Sequence, residues 1–227
     1  MDGSRISKSA ALFAMIFAAM PERAAAQYEE YDTMAPRIYA LGQVAFIGDL
    51  HVQVEDGDEA TDGMQVSGGG ALGFELPVVE LFSIGGEISA LVWNNDDAAD
   101  QEIGPNVLGE LSVVPRFRIP WASSSRGGAH GAFTLGGVFG LTLNFPNEEW
   151  SDAVGALGGD LDIGVGAHAG GLVGAQFFFT HSFGVIVEGG YVHHFAWHRL
   201  SFPVIGEREL ALDFGQITIR AGLALAF

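Results

Sequence analysis

Three groups of residues carry side chains that could do chemistry. The stretch Val192-His193-His194-Phe195-Ala196-Trp197-His198 holds three histidines, and imidazole serves both as metal ligand and as proton carrier near neutral pH. On a strand, His193 and His194 point to opposite faces, so they cannot share an ion, and His194 reaches His198 only where the chain bends. His181-Ser182 with Glu188 supplies the side-chain types of a hydrolase triad, but His181 and Ser182 are direct neighbours and Glu188 falls within a strand pattern. The third group is acidic: Glu55, Asp56, Asp58, Glu59 and Asp62; then Asp96, Asp97, Asp100 and Glu102; then Glu148, Glu149, Asp152, Asp160 and Asp162. Carboxylate oxygens suit Ca²⁺ or Mg²⁺, yet the first run lacks the ligand and glycine spacing of an EF-hand loop. Gly68-Gly69-Gly70 and Gly158-Gly159 are followed by no lysine and no helix signal, so they are not phosphate cradles. The absence of cysteine excludes disulfides and thiol chemistry. No catalytic, cofactor-binding or metal-ligating set is assigned from these patterns. The chain reads as non-enzymatic, with divalent cations held weakly at the acidic runs.

The elements that position these groups are strands. Alternating runs fall at about residues 37–50, 65–76, 81–93, 107–119, 131–145, 164–179, 183–195 and 212–227, and a period of two marks a strand. One face of each run is large and apolar. The second has Val66, Leu72, Phe74 and Leu76 on that face, against Gln65, Ser67, Ala71 and Glu75. The fourth sets Leu111, Val113, Phe117 and Ile119 against Glu110, Ser112, Arg116 and Arg118. The sixth sets Val165, Ala167 and Val173 against His168, Gln176 and glycines. The connectors alternate too. Long acidic ones follow the first, third and fifth runs, and a long one with Glu207 and Glu209 follows the seventh. Short or acid-poor ones follow the others, including the Ser/Gly segment with Arg126. In an up-and-down array this gathers the long loops at one rim and both ends of the array at the other.

The chain has 227 residues and a net charge of −18, with Lys8 its only lysine. Such a surface repels nucleic acid, whose phosphates require basic partners. Residues 1–26 read as a signal peptide: Arg5 and Lys8 at the start, the apolar segment Ala10–Met20, and Ala24-Ala25-Ala26 before the cut. Residues 27–36 read as a flexible acidic leader and residues 37–227 as the folded domain. No later stretch is apolar for the 18 residues of a membrane helix.

The last run decides the solvent. From Gln216 to Phe227 it presents Ile217, Ile219, Leu223, Leu225 and Phe227 on one face and Gln216, Thr218, Arg220 and Gly222 on the other. Faces of glycine, hydroxyls and charges would make a poor water-exposed surface but fit a narrow interior. Large apolar faces turned outward suit lipid, and a closed barrel leaves no backbone edge unpaired there. This pattern, ending in Phe227, resembles the small bacterial outer-membrane β-barrels of the OmpA/OmpX type, without an additional peptidoglycan-binding domain. The resemblance implies an all-β, eight-stranded antiparallel up-and-down transmembrane barrel with a polar, filled lumen, in the outer membrane of a Gram-negative cell. It implies that Ile219, Leu223, Leu225 and Phe227 form the signal read by the barrel-assembly machinery after transit with periplasmic chaperones. The inward charges Glu75, Glu87, Glu110, Arg116, Arg118, Glu188 and Arg220 are then expected to pair as a lumen network, because lone buried charges are costly. Arg220 is expected to meet Glu75 or Glu188. Aromatic girdles are expected at both interfaces, with Trp93, Phe145, Trp150, Phe195 and Trp197 at the loop rim and Phe117, Trp121, Phe133, Phe177, Phe183 and Phe227 at the other. The expected role is structural or interactive, through the acidic loops. The alternatives are a small pore or transport protein and, further off, an outer-membrane lipid hydrolase.

Overall fold

The computed structural model describes residues 34–55, 59–62, 65–96, 102–122, 129–204 and 206–227. The signal peptide, most of the leader, and Asp56, Asp58, Asp97, Asp100 and Arg126 lie outside the described residues. Eight long strands follow one another: β1 (Arg37–Val54), β3 (Gln65–Val79), β4 (Phe82–Asp96), β5 (Glu102–Ala122), β6 (His130–Phe145), β8 (Gly164–Phe178), β9 (Phe183–Phe202) and β10 (Gly206–Ala226). Two short strands, β2 (Glu59–Asp62) and β7 (Asp160–Leu161), and one helix, α1 (Glu148–Ala156), occupy the connectors.

Each long strand pairs antiparallel with its sequence neighbour, and β10 pairs with both β9 and β1, closing the ring. The closing register runs from Arg37 opposite Ala226 to Val54 opposite Leu210, with a shift between Ile47 and Leu50. Closure satisfies the backbone groups that an open edge would leave bare. At the seam Gly222 passes so close to the Ala40 carbonyl and the Leu41 backbone that a Cβ would overlap them.

The faces divide as the alternation requires. Ile217, Ile219, Leu223, Leu225 and Phe227 are exposed, whereas Gln216, Thr218 and Arg220 are buried. Leu135, Phe139, Leu141, Leu143 and Phe145 of β6 stand outside, with Thr134, Thr142 and Asn144 within. The outer surface is therefore a continuous apolar band, and the burial is interior.

The interior is not uniformly polar. Toward the long-connector end, Ile47, Leu50, Leu91, Trp93, Leu108, Leu212 and Phe214 pack into an apolar cluster. Toward the end carrying Arg37 and Ala226, Tyr39, Leu41, Ala71, Phe178 and Ile186 form a second. Charge lies below the first cluster and is interleaved with the second, Arg37 stacking on Phe178 and Arg116 on Tyr39. Trp93 is thus a core residue rather than a girdle residue. It shares parity with Glu87, Ser89 and Leu91, and that parity turns it inward. Trp150 likewise leaves the girdle, because it lies on α1 and packs against the upper cluster. Phe145, Phe195, Trp197, Phe117, Phe183 and Phe227 do face outward.

The connectors differ from the expected loops: residues 50–53 pair with Glu59–Asp62, and Asn95 and Asp96 pair with Ile103 and Glu102. Residues 196–211 are mostly paired strand, with Ala196 opposite Leu212 and Phe202 opposite Gly206, so the barrel wall continues where a long loop was expected. Residues 148–156 are helical. The Asn147 side chain accepts from the Trp150 N–H at 2.8 Å, and Glu148 and Glu149 lie in the first turn, where the helix dipole favours them. The helix ends at Gly158, whose φ of 75° is readily adopted by glycine. There the Gly158 and Gly159 amides donate back to the Gly155 and Val154 carbonyls.

Candidate functional site

The middle of the barrel is built from strand positions of one parity. Arg116 is fully buried on β5 and holds Glu188 of β9 with two nitrogens, Nε to Oε1 at 2.9 Å and Nη2 to Oε2 at 3.2 Å. Its remaining nitrogen reaches Glu75 of β3 at 3.4 Å, and its guanidinium lies over the Tyr39 ring, 5.2 Å from the centroid. The Tyr39 hydroxyl donates to Glu87 at 3.1 Å. Arg220 of β10 donates to Glu87 and to Glu188. Glu75 also faces Arg118 at 3.6 Å and Arg37 at 3.3 Å. Gln176 accepts from Arg37 at 2.6 Å and donates to Glu75 at 2.9 Å.

Six of the seven expected lumen charges therefore meet: Glu75, Glu87, Glu188, Arg116, Arg118 and Arg220. The partners of Arg220 are Glu188, which is also its cross-strand neighbour, and Glu87; Glu75 belongs to the other three arginines. Arg37 completes the set and was not foreseen. Its parity with the buried Tyr39 and Leu41 turns it inward. Four arginines thus surround three glutamates. Fork-shaped guanidinium groups suit such bidentate, water-poor pairing, and removing one partner leaves a buried charge unmatched.

Glu110 stands apart. It takes a hydrogen bond from Ser89 of β4 and, among the described residues, meets no arginine within ion-pair distance. Above the arginine layer it joins histidines instead. His168 of β8 and His194 of β9 are register partners, both buried, with ring centroids 5.4 Å apart. The Thr142 hydroxyl lies 3.0 Å from Nδ1 of His168 and 3.4 Å from Nδ1 of His194. Ser112 Oγ lies 2.9 Å from Nε2 of His168, and the His194 ring stacks on Phe214 at 4.9 Å.

The other histidines separate. His193 faces outward, 2.7 Å from Asp213. His198 lies on the same face as His194 but belongs to the upper rim, where Asn144, the Asp162 carbonyl and Trp150 surround it. His194 therefore joins His168, not His198. Straight strand geometry keeps residues four apart from meeting, while the barrel brings the neighbouring strand's histidine alongside. His181 and Ser182 are exposed in the β8–β9 turn, and Glu188 is inside, held by Arg116 and Arg220, so the structure does not assemble them as a triad. Ile219, Leu223 and Leu225 project outward on the closing strand, and Phe227 is exposed just beyond its end.

No family model and no curated protein matches the sequence. Solved structures match at the level of the fold. The outer membrane protein OprG from Pseudomonas aeruginosa superposes with a TM-score of 0.57 at 10% identity, covering 85% of this chain and 96% of OprG. AlkL, an outer membrane protein determined in DMPC lipid bilayers, gives 0.49 at 11% identity over 92% of this chain and 97% of its own. Neisserial surface protein A gives 0.46 at 11% identity over 84% and 97%. The chain has the fold of the small outer-membrane β-barrels: an all-β, antiparallel, up-and-down ring of eight strands.

Proposed function

We propose that this chain is a non-enzymatic outer-membrane protein whose barrel is a closed anchor and whose acidic connector rim is the interacting surface. The observation that carries the reading is the filling of the interior. The network of Arg116, Arg220, Glu87, Glu188 and Glu75 occupies the middle, and Trp93, Phe214, Leu91 and Leu212 pack above it. An eight-stranded wall encloses little more than its own side chains, and paired buried charges resist displacement.

Export by the signal peptide, delivery by periplasmic chaperones and insertion by the barrel-assembly machinery complete this proposal, with outer-membrane lipid as the partner of the apolar band. The acidic connectors would hold divalent cations loosely and repel nucleic acid. Residues Glu148, Glu149 and Asp152 of α1 supply part of that charge at the rim, exposed or nearly so.

Planar-bilayer recording of the refolded protein tests the closed interior. The expected result is a baseline without unit steps. Reproducible unit conductance would overturn the closed-anchor reading and favour the pore or transport alternative.

A further inference from the structure

We infer that Glu110, His168 and His194 form an interior site for one zinc-class divalent cation. The three come from β5, β8 and β9, and one ligand atom of each lies within 4.8 Å of the others. The pairing that unites them is fixed by register. His168 and His194 sit opposite each other, Glu110 sits opposite Thr142, and β6 carries Thr142 between β5 and β8.

Two atoms of this cluster point to a ligand independently of their closeness. His194 Nε2 and Glu110 Oε1 are buried without a hydrogen bond, and the His194 side chain is 0% exposed. Unsatisfied buried polar atoms are costly, and these two face each other at 3.5 Å. Donors bound to one tetrahedral zinc at bond lengths near 2.1 Å lie about 3.4 Å apart, so this edge of the polyhedron is already set. To bind the same ion, His168 exchanges its Nε2 contact with Ser112 for the metal and keeps Nδ1 on Thr142.

The surroundings fit the assignment. The Thr142 hydroxyl contacts the Nδ1 atoms of both rings and Ser89 holds the second carboxylate oxygen of Glu110, the kind of outer contacts that orient metal ligands. Four arginines face three glutamates in the network below, and Glu110 is the fourth acid, not claimed by any of them. Two imidazoles and one carboxylate favour zinc-class ions over Ca²⁺ and Mg²⁺, which prefer oxygen alone. Three protein ligands leave a fourth position for water or another small donor. A bound ion would tie three strands together across the lumen.

The test is to refold the full chain into detergent micelles with Zn²⁺, under excess Mg²⁺ to occupy the acidic connectors. Chelating resin then removes loose metal and the retained zinc is measured. The expected result is about one zinc per chain, the stoichiometry of a single closed cluster. Zinc should also raise the temperature at which the folded band converts on a gel, because a ligand of the native state stabilises it, and a strong chelator should reverse the shift. Glu110→Gln and His168→Gln should abolish retention. Thr142→Val should weaken it by about tenfold, as loss of an orienting contact does. His193→Gln, on the outer face, should leave it unchanged. No stoichiometric zinc in the folded parent, or equal retention by the Glu110 and His168 variants, would overturn the site. Should those variants fail to fold, X-ray absorption of the zinc-loaded parent decides: two imidazoles in the shell support the site, and an all-oxygen shell overturns it.

Discussion

Arg116 shows how one side chain can govern the interior. It is fully buried, binds Glu188 with two nitrogens and touches Glu75 with the third. Arg116→Met keeps the volume but leaves both carboxylates short of a cation. The expected cost is about 3–5 kcal/mol, the range for breaking a buried pair on one side, read from urea unfolding in lipid vesicles. The outer face gives the opposite kind of test. Phe139 is exposed midway along β6, and in water a charge there would cost little. If the band meets lipid, Phe139→Arg should destabilise the barrel by roughly 2–4 kcal/mol, as for cations near the bilayer midplane. An unchanged unfolding midpoint would contradict the lipid assignment.

At the level of elements, β10 is both the closing strand and the strand carrying the expected assembly signal. Its outward residues Ile219, Leu223, Leu225 and Phe227 make few interior contacts, whereas Arg220 is buried in the network. Phe227→Ala should therefore lower the yield of inserted barrel in cells while leaving the unfolding midpoint of purified barrel near that of the parent. Arg220→Ala should do the reverse. Equal behaviour of the two variants in both assays would remove that division of roles. Helix α1 presents a local case. Asn147→Ala deletes its N-cap and should cost about 1 kcal/mol of helix stability, seen as faster amide exchange in residues 148–156 with the barrel unchanged. Its start was readable in Pro146-Asn147-Glu148-Glu149. Short helices draw most of their stability from packing, however, and the packing of Trp150 and Val154 on the apolar cluster depends on strands far away in sequence.

The described strands form a closed sheet with its apolar surface outside, its paired charges within and acidic residues at the connector rim. A barrel closed on all sides resists detergent until heated, so the folded chain should run faster on an unboiled gel and shift on boiling. Identical mobility in both conditions would speak against a closed transmembrane barrel. Strand number, direction and facing were determined by the sequence itself, because a period of two survives any surrounding context and the size contrast between faces is large. That contrast, with Tyr191 on the apolar side, turns His193 outward and His194 inward, and it already contained the inward turn of Trp93. What only the tertiary structure decided is who meets whom across the lumen. Arg220 finds Glu87, Arg37 joins Glu75, and His194 finds His168 and Glu110 because strand stagger and closure place them at one height. Alternation tells which way a side chain points. It cannot tell which level of the barrel it reaches, since that depends on the register of every strand around the ring.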